Sequence, residues 1–404
     1  MSKPTGPLVG KRIIDLTQVI SGPMSTMLLA DQGADVIKVE SPSGDSLRLM
    51  GPKHNGLTAV FFSCNRNKRS IVLDLASDEG KETLRDLIAT ADVLVQNFRP
   101  GAIDRMGFSE RAVREIKPDI VYVSVSGFGK TGPYSSQRVY DPVIQALSGL
   151  TDIQYDRETG DPRMINFVIA DKITALMTAQ AVTAALVARA ETGEGQAVDL
   201  SMLDSVVSTI WPHGMIGLTY EEQEFDIRAA QNPMDSIFPT KDGRHVTASC
   251  VTDSEWEGIC KSLDRPDWIE DERFNNAFNR TVNGEERKKL MAEEIARFNS
   301  EDILDRFEQY QAPAAPLVNR MELMKNAQVQ ASETITTDYY EGFGNVRQPR
   351  PAAKFSVTPS EIRSAAPQFG EHSASILKDL GYSDQRIAEL VNSGALICAD
   401  TSGS

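Results

Sequence analysis

The sequence has little cysteine or histidine, with four residues of each type in a chain of 404 residues. No two cysteines form a CxxC pair, and neither an HExxH nor a GxSxG motif occurs, so the usual signatures of a zinc site, a disulfide framework and a serine hydrolase are missing. We therefore expect no metal site. The scattered cysteines indicate reduced thiols, as in a cytoplasmic protein; they are Cys64, Cys250, Cys260 and Cys398.

Long apolar stretches and an excess of positive charge are also missing. The N-terminus MSKPTGPLVGKR lacks the apolar core of a signal peptide, and the longest apolar stretch is too short and too interrupted to span a bilayer. Acidic residues number 57 against 42 basic ones, and the net charge of −15 disfavours binding to nucleic acid or to an anionic membrane. We expect a cytoplasmic protein in which any anionic ligand meets a local cluster of basic residues.

Residues 12–126 do contain a regular pattern, in which short β-branched runs alternate with amphipathic segments. The alternation predicts β-α-β units and an α/β fold with a Rossmann-like parallel sheet covered by helices. Such sheets bind ligands at the carboxyl ends of their strands. Here those ends carry residues 17–22, 97–101 and 126–132. The predicted strands are RIIDLT, ADVIKVE, SIVLDL, ADVLVQNF and DIVYVSVS.

The remainder of the chain predicts a second, smaller domain. An Ala-rich helix is predicted to begin after Asp171, a plausible N-cap, and to end at Gly193. Farther on, the strand-like SIFPT and HVTASC flank the turn KDG and indicate an α+β unit, and the Pro-rich APAAPLV is interpreted as a connector. The predicted division is a large Rossmann-like domain over 1–200, a linker over 201–225, a small α+β domain over 226–330 and a C-terminal segment over 331–404.

The glycine-rich segment GFGKTG, residues 127–132, invites a nucleotide-binding interpretation. A Walker A loop needs a glycine five positions before Gly129, but Ser124 stands there. A dinucleotide fingerprint needs a helix that starts inside the motif, whereas PYSSQ follows it. We therefore interpret the segment as a glycine-rich turn after a strand.

Several segments, in a fixed order, resemble the class III CoA-transferase family, also called CaiB/BaiF, which includes formyl-CoA and carnitine CoA-transferases and α-methylacyl-CoA racemase. The resemblance covers nearly the whole chain, and it weakens beyond residue 205 to FPTKDG, APAAPLV and GEHSASILKDLGYS. The segments that carry it are GADVIKVESPSGD, NRNKRSIVLDL, DVLVQNFRPGAIDRMGF, IVYVSVSGFGKTGP, YDPVIQALSGL and ADKITALMTAQAVTAALVARAETGEGQAVDLSMLD.

The resemblance implies both a reaction and a set of site residues. In the family, the aspartate that corresponds to Asp171 is the nucleophile, and CoA is a substrate instead of a permanent cofactor. A carboxylate can attack an acyl-CoA thioester, which gives first a mixed anhydride and then an aspartyl-CoA thioester. The implied CoA-binding residues are Val19, Leu73, Asn97, Phe98, Arg99, Arg105, Arg138, Tyr140 and Asp141. The three arginines would suit the phosphates of CoA; the alternative is that they are ordinary surface charges.

Departures from the family pattern bear on the substrate. Ile20 stands where formyl-CoA transferases carry glutamine, Ser41 stands where they carry a basic residue, and no glycine cluster occurs between 245 and 262, which puts a formyl/oxalate assignment in doubt. Tyr140 occupies the position of the histidine that the racemases use for proton transfer. We expect an acyl-CoA:carboxylate CoA-transferase; the alternatives are a racemase, an intramolecular CoA-ester isomerase and a non-catalytic CoA-binding protein.

The resemblance also implies an architecture and partners. In the family, the C-terminal segment returns to complete the N-terminal domain, the small domain is inserted between them, and two chains form an interlocked homodimer. The implied partners are a small-molecule acyl-CoA donor, a carboxylic acid acceptor and a second copy of the chain. The donor and the acceptor are not identified by the sequence.

Overall fold

The computed structural model describes residues 4–156, 159–222 and 236–399. The described residues form two compact units: one runs up to Thr209 and resumes at Glu333, and the other runs from Ile210 to Ser332. The predicted start of the small domain at residue 226 and the closing residues TSGS lie outside the described residues.

The strands and helices of the described residues alternate over the first half of the chain. The strands are β1 (Arg12–Asp15), β2 (Asp35–Glu40), β3 (Lys53–His54), β4 (Leu57–Thr58), β5 (Lys68–Leu73), β6 (Val93–Gln96), β7 (Val121–Ser126), β8 (Ala197–Ser201), β9 (Ile237–Pro239), β10 (His245–Ala248), β11 (Ala314–Pro316), β12 (Ile335–Tyr340), β13 (Gly344–Pro349) and β14 (Leu396–Ile397). The α-helices are α1 (Ser21–Asp31), α2 (Ala59–Asn65), α3 (Asp78–Ala89), α4 (Ala102–Arg105), α5 (Glu110–Ile116), α6 (Asp141–Leu147), α7 (Leu150–Ile153), α8 (Ile169–Thr192), α9 (Met202–Gly214), α10 (Asp253–Ser262), α11 (Ala277–Val282), α12 (Gly284–Ile295), α13 (Ser300–Gln309), α14 (Arg320–Leu323), α15 (Ala327–Ala331), α16 (Ser373–Asp379) and α17 (Asp384–Asn392).

The first unit is built on a seven-stranded sheet with the order β14-β5-β2-β1-β6-β7-β8. Every neighbouring pair from β5 to β8 is parallel, and only β14 joins antiparallel to its neighbour, β5. The predicted α/β fold with a mostly parallel central sheet is confirmed. The sequence does not reveal β14, because two residues are too short for a periodic pattern.

Alternation along each strand divides the apolar side chains of this sheet between two layers. Ile14 of β1 belongs to a cluster that also includes side chains of α3, α5, α16 and α17. Its neighbour Ile13 points into the opposite layer, with side chains of α1 and α8. Because both faces are covered, the strands carry nearly continuous apolar runs, and those runs made them recognisable.

Helix α8 is the one described helix that is long and apolar enough to cross a membrane by length and composition. Its side chains Ala179, Val182, Ala185 and Leu186 are buried with apolar residues of the sheet and of α1. One face of this helix therefore belongs to the core of the first unit. Gly193 ends the helix in the left-handed conformation with φ of 76°, as the sequence predicts.

The second unit has its own core and a small antiparallel sheet with the order β11-β10-β9. Trp256 and Trp268 stack in this core, with ring centroids 6.2 Å apart. The interpretation of APAAPLV as a connector is wrong, because its central residues form β11, in which Pro316 pairs with Val246. A proline is tolerated there because β11 is an edge strand, where a backbone donor is not required on the open side.

The residues from Glu333 onwards are bound to the N-terminal part of the same unit. Arg66 donates to the carbonyl oxygen of Pro349 at 2.9 Å, and the backbone N–H of His372 donates to the carbonyl oxygen of Ser70 at 3.0 Å. Two helices, α16 and α17, follow in this part of the chain, and Gly381 takes a φ of 89° between them.

Candidate active site

A cavity of about 370 Å³ lies at the carboxyl ends of β1, β6 and β7, in the first unit. This is the edge of the sheet that the β-α-β pattern predicts for a ligand. Seven of the predicted site residues line the cavity: Val19, Asn97, Phe98, Arg99, Arg138, Tyr140 and Asp171. The lining also includes residues that the sequence analysis did not name as site residues, among them Gln18, Ser21 and Met202. The first two fall in the segment 17–22, which the sequence marks as a strand end.

The other three predicted residues do not line this cavity. Leu73 is fully buried in the apolar layer between the sheet and α3. Arg105 is exposed on the short helix α4. Asp141 is 2% exposed, and its carboxylate is used inside the protein, as described below. The CoA contacts predicted for these three residues stay predictions.

Asp171 lies in the first turn of α8 and is not its N-cap. The helix begins at Ile169 after Val168, which makes no side-chain cap, so the predicted N-cap role is wrong by three positions. The helix starts earlier than its Ala-rich run, since its first backbone donors find partners outside it: the Asp171 N–H donates to Asp141 Oδ2 at 3.0 Å. Asp171 still stands where the positive end of the helix dipole favours a carboxylate.

Two opposing influences set the pKa of Asp171, a side chain only 8% exposed. Burial, followed by the charge of Asp141, raises this pKa from 3.8 to about 6. The polar groups of Ser21, its hydroxyl and its backbone N–H, lower the pKa of Asp171, as does the charge of Lys172. Asp171 is thus a carboxylate at neutral pH but a much more basic one than usual.

Asp141 connects α6 to the head of α8. Its Oδ1 accepts from Gln145 Nε2 at 2.6 Å, while its Oδ2 accepts from the Asp171 N–H. Gln145 Oε1 in turn accepts from the N–H of Ile165 at 2.9 Å. This chain of hydrogen bonds fixes the start of α8 and places a second carboxylate behind Asp171.

The loop between β1 and α1 forms one wall of the cavity. The amide of Asn97, at the end of β6, clamps it: Asn97 Oδ1 accepts from the Gln18 N–H at 2.9 Å, and Asn97 Nδ2 donates to the Gln18 carbonyl oxygen at 2.8 Å. Gly22 lets α1 start against this loop, because a Cβ at this position would lie 2.3 Å from the Cβ of Thr17. The first strand end is therefore held rigidly beside Asp171.

Two arginines give the cavity a positive character. Arg99 and Arg138 line it, and neither forms an ion pair with an acidic residue among the described parts of the chain. Such groups are suited to bind phosphate or carboxylate oxygens of a ligand.

A second cavity, of about 450 Å³, adjoins the first one on the side of β7 and shares Phe98, Arg99 and Ser126 with it. Lys130 and Asp199 form an ion pair of 2.6 Å among its lining residues. Within the described ranges, no group of three or more His, Cys, Asp or Glu side chains could hold a metal ion.

Comparison with known proteins assigns this α/β fold to the CoA-transferases. Residues 8–373 match CoA-transferase family III. The chain is 33% identical over 396 residues to succinyl-CoA:glutarate CoA-transferase of Homo sapiens, covering 96% of this chain and 90% of that protein. It is 34% identical over 398 residues to succinyl-CoA:mesaconate CoA-transferase of Haloarcula hispanica, covering 93% of this chain and 97% of that protein.

A solved structure agrees with these relatives. The crystal structure of a CAIB/BAIF family protein from Brucella suis matches with a TM-score of 0.78 and 30% identity, over 93% of this chain and 100% of that one. The chain belongs to CoA-transferase family III, and it is an enzyme that transfers coenzyme A. The family resemblance predicted from the sequence is confirmed.

Proposed function

We propose that this enzyme is an acyl-CoA:carboxylate CoA-transferase and that Asp171 carries its covalent intermediates. The observation that supports the proposal most directly is Asp171 itself. It is a nearly buried carboxylate that lines the cavity at the strand ends, in a chain that matches CoA-transferase family III over residues 8–373. No other group in the cavity lining is a carboxylate among the described residues.

The reaction starts with two acyl transfers at Asp171. A carboxylate oxygen of Asp171 attacks the thioester carbonyl carbon of the donor acyl-CoA, the C–S bond breaks, and CoA leaves as a thiolate. The product is a mixed anhydride between the donor acid and Asp171. The thiolate then attacks the Asp171 carbonyl carbon of this anhydride, which releases the donor carboxylate and leaves an aspartyl-CoA thioester.

The second half reverses these steps with the acceptor. The acceptor carboxylate attacks the aspartyl thioester and expels the CoA thiolate, and the thiolate attacks the acceptor's carbonyl carbon. The products are the new acyl-CoA and the free Asp171 carboxylate, with no net uptake or release of a proton. Each tetrahedral intermediate is an oxyanion, which backbone N–H groups of the glycine-rich turn that begins at Gly127 can stabilise.

We propose that the acids include dicarboxylic ones. The relatives named above act on succinyl-CoA with glutarate or mesaconate, according to their names. In this chain the unpaired Arg99 and Arg138 line the same cavity as Asp171 and can bind a second carboxylate of the acyl group. The phosphates of CoA are the competing ligand for these arginines, as the sequence resemblance implies.

Replacement of Asp171 tests the mechanism. We expect Asp171→Ala to abolish exchange between an acyl-CoA and a labelled acid, because no carboxylate remains to accept the acyl group. Wild-type enzyme given acyl-CoA alone should acquire a CoA adduct that mass spectrometry detects on the peptide with Asp171. The matched control is Asp204→Asn, which removes an exposed carboxylate from the first turn of α9 and should keep exchange and adduct. Near wild-type exchange by Asp171→Ala would rule out this mechanism.

We further propose that the enzyme acts as an interlocked homodimer in the cytoplasm, with CoA as a substrate and no permanent cofactor. Half-exposed apolar side chains on α8, among them Leu176 at 57% and Val187 at 66%, support a partner chain at this helix. The two compact units support the predicted division into a large domain completed by the C-terminal segment and a small inserted domain. A monomer in sedimentation equilibrium would contradict the dimer.

A further inference from the structure

Val19, in the cavity wall, has an unfavourable backbone conformation. Its φ of 68° is in the left-handed region, which β-branched residues avoid because of steric conflict with the backbone. Strain of this kind persists only where the surroundings enforce it, and it is frequent at functional sites. Two residues later, Ser21 lines the same cavity as Asp171.

Hydrogen bonds hold each residue of the loop that leads to Ser21. The carbonyl oxygen of Thr17 accepts from Lys38 Nζ at 2.8 Å. Gln18 is clamped by Asn97 as described above. The N–H of Val19 donates to Asp45 Oδ1 at 3.2 Å. Asp45 therefore supplies the contact that holds the strained residue itself.

Asp45 is itself fixed by a buried charge. It is 1% exposed, and its Oδ2 lies 3.0 Å from the Nζ of Lys38, which is fully buried. A second buried pair, Asp15 with Lys68 at 2.8 Å, lies beside the first. Buried ion pairs add little net stability, because desolvation of the charges offsets their attraction. What the Lys38 and Asp45 pair does produce is a rigid support under the loop, through Thr17 and Val19.

We propose that Asp45 is a positioning residue for CoA transfer: its carboxylate keeps Val19 in the left-handed conformation and thereby holds Ser21 and this wall of the cavity in place beside Asp171. The inference rests on the proposed role of Asp171 as the nucleophile. Asp45 touches neither the cavity nor Asp171, so its effect on the reaction passes through the loop. The competing explanation is that Asp45 contributes to stability alone.

A matched pair of variants separates these explanations. Asp45→Ala and Asp31→Ala each remove a carboxylate that is 1% exposed and ion-paired in the same unit, Asp31 with Arg66 at 2.8 Å. Both should lower the melting temperature. Only Asp45→Ala should lower kcat of the folded enzyme, on the order of 10–100-fold, because a nucleophile displaced by about 1 Å loses rate on that scale. The KM for acyl-CoA should change less than about threefold. Equal kcat losses in the two variants would overturn the proposal.

A conservative replacement keeps the hydrogen bond and removes the charge. Asp45→Asn retains an oxygen that can accept from Val19, so it should keep kcat within about threefold of wild type even if its melting temperature falls as far as that of Asp45→Ala. A loss of more than about tenfold in kcat for Asp45→Asn would contradict the proposal. If Asp45→Ala does not fold, the kcat of Asp45→Asn tests the positioning role in its place.

The conformation of Val19 provides the most specific readout. Glycine takes a positive φ without steric cost, so in a Val19→Gly background the conformation of the loop depends less on the Asp45 carboxylate. Asp45→Ala should therefore cost at least about fivefold less in kcat in that background than in wild type, as a double-mutant cycle measures. The same cost in both backgrounds would overturn the proposal. If Asp171→Ala still exchanges, the proposed function fails; if Asp171→Ala is inactive and the cycle shows no coupling, only the role of Asp45 fails.

Discussion

Ionisation of Asp171 should set the acidic limb of the pH–rate profile. The attack requires the carboxylate, whose pKa is raised to about 6 first by burial and then by the charge of Asp141. With that value, about 90% of the enzyme is ionised at pH 7 and about 10% at pH 5, so kcat/KM should fall about tenfold between them. A carboxyl group at the ordinary value of 3.8 would still be mostly ionised at pH 5, and the rate would hardly change.

Asp141→Asn perturbs this limb in a defined direction. The variant removes the like charge behind Asp171 but keeps an oxygen that can accept from the Asp171 N–H. We expect the limb to move to lower pH, yet to stay above 3.8, because burial is the larger cause and remains. A modest loss of plateau rate should accompany the shift, since the new amide nitrogen would face Gln145 Nε2, which is also a donor.

The assay must exclude titration of the substrates. The assay therefore follows formation of the CoA adduct from acyl-CoA alone, in single turnovers between pH 4.5 and 8 at constant ionic strength. No acceptor acid is added, because a free carboxylic acid has a pKa of about 4 and would titrate close to the limb being measured. Asp204→Asn is the control and should show the wild-type limb. A wild-type limb below pH 5, or a limb that stays in place or rises in Asp141→Asn, would refute the reasoning.

Two further predictions follow from the same cavity. Asp171→Asn should melt at a higher temperature than wild type at pH 7, because a native pKa raised from 3.8 to about 6 means that ionisation costs the native state up to about 3 kcal/mol. The difference in melting temperature should vanish as the pH falls from 6 towards 3.8. A lower melting temperature of the variant at pH 7 would contradict this prediction. Arg138→Gln should raise the KM for a dicarboxylic acceptor at least about fivefold more than for a monocarboxylic acid of equal length, whereas a higher KM for acyl-CoA with either acceptor would assign Arg138 to the CoA phosphates.

The sequence predicted the sheet well because buried parallel strands are continuous apolar runs between helices. The predicted strands do not include β8 and β14 of this sheet, nor β3, β4, β11, β12 and β13. Four of these have only two or three residues, which is too short for a periodic pattern. The role of Asp171 could be predicted only through the family resemblance, because one aspartate at a helix start is usually structural. The supporting roles of Asp45 and Asp141 could not be predicted from the sequence. Their partners, Val19 and Asp171, are 26 and 30 positions away in sequence, and no local pattern connects them.

The pKa of Asp171 represents a balance between ionisation and nucleophilic strength. A carboxylate with an ordinary pKa would be fully ionised at pH 7 but weakly basic, and a far higher pKa would leave little of the reactive form. Burial and Asp141 raise the pKa, while the polar groups of Ser21 and the charge of Lys172 limit the rise to about 6. If Ser21 moved away, the same burial would leave more of the enzyme protonated. The rigid loop that ends at Ser21 therefore sets how much of the carboxylate is available to attack, in addition to where it points.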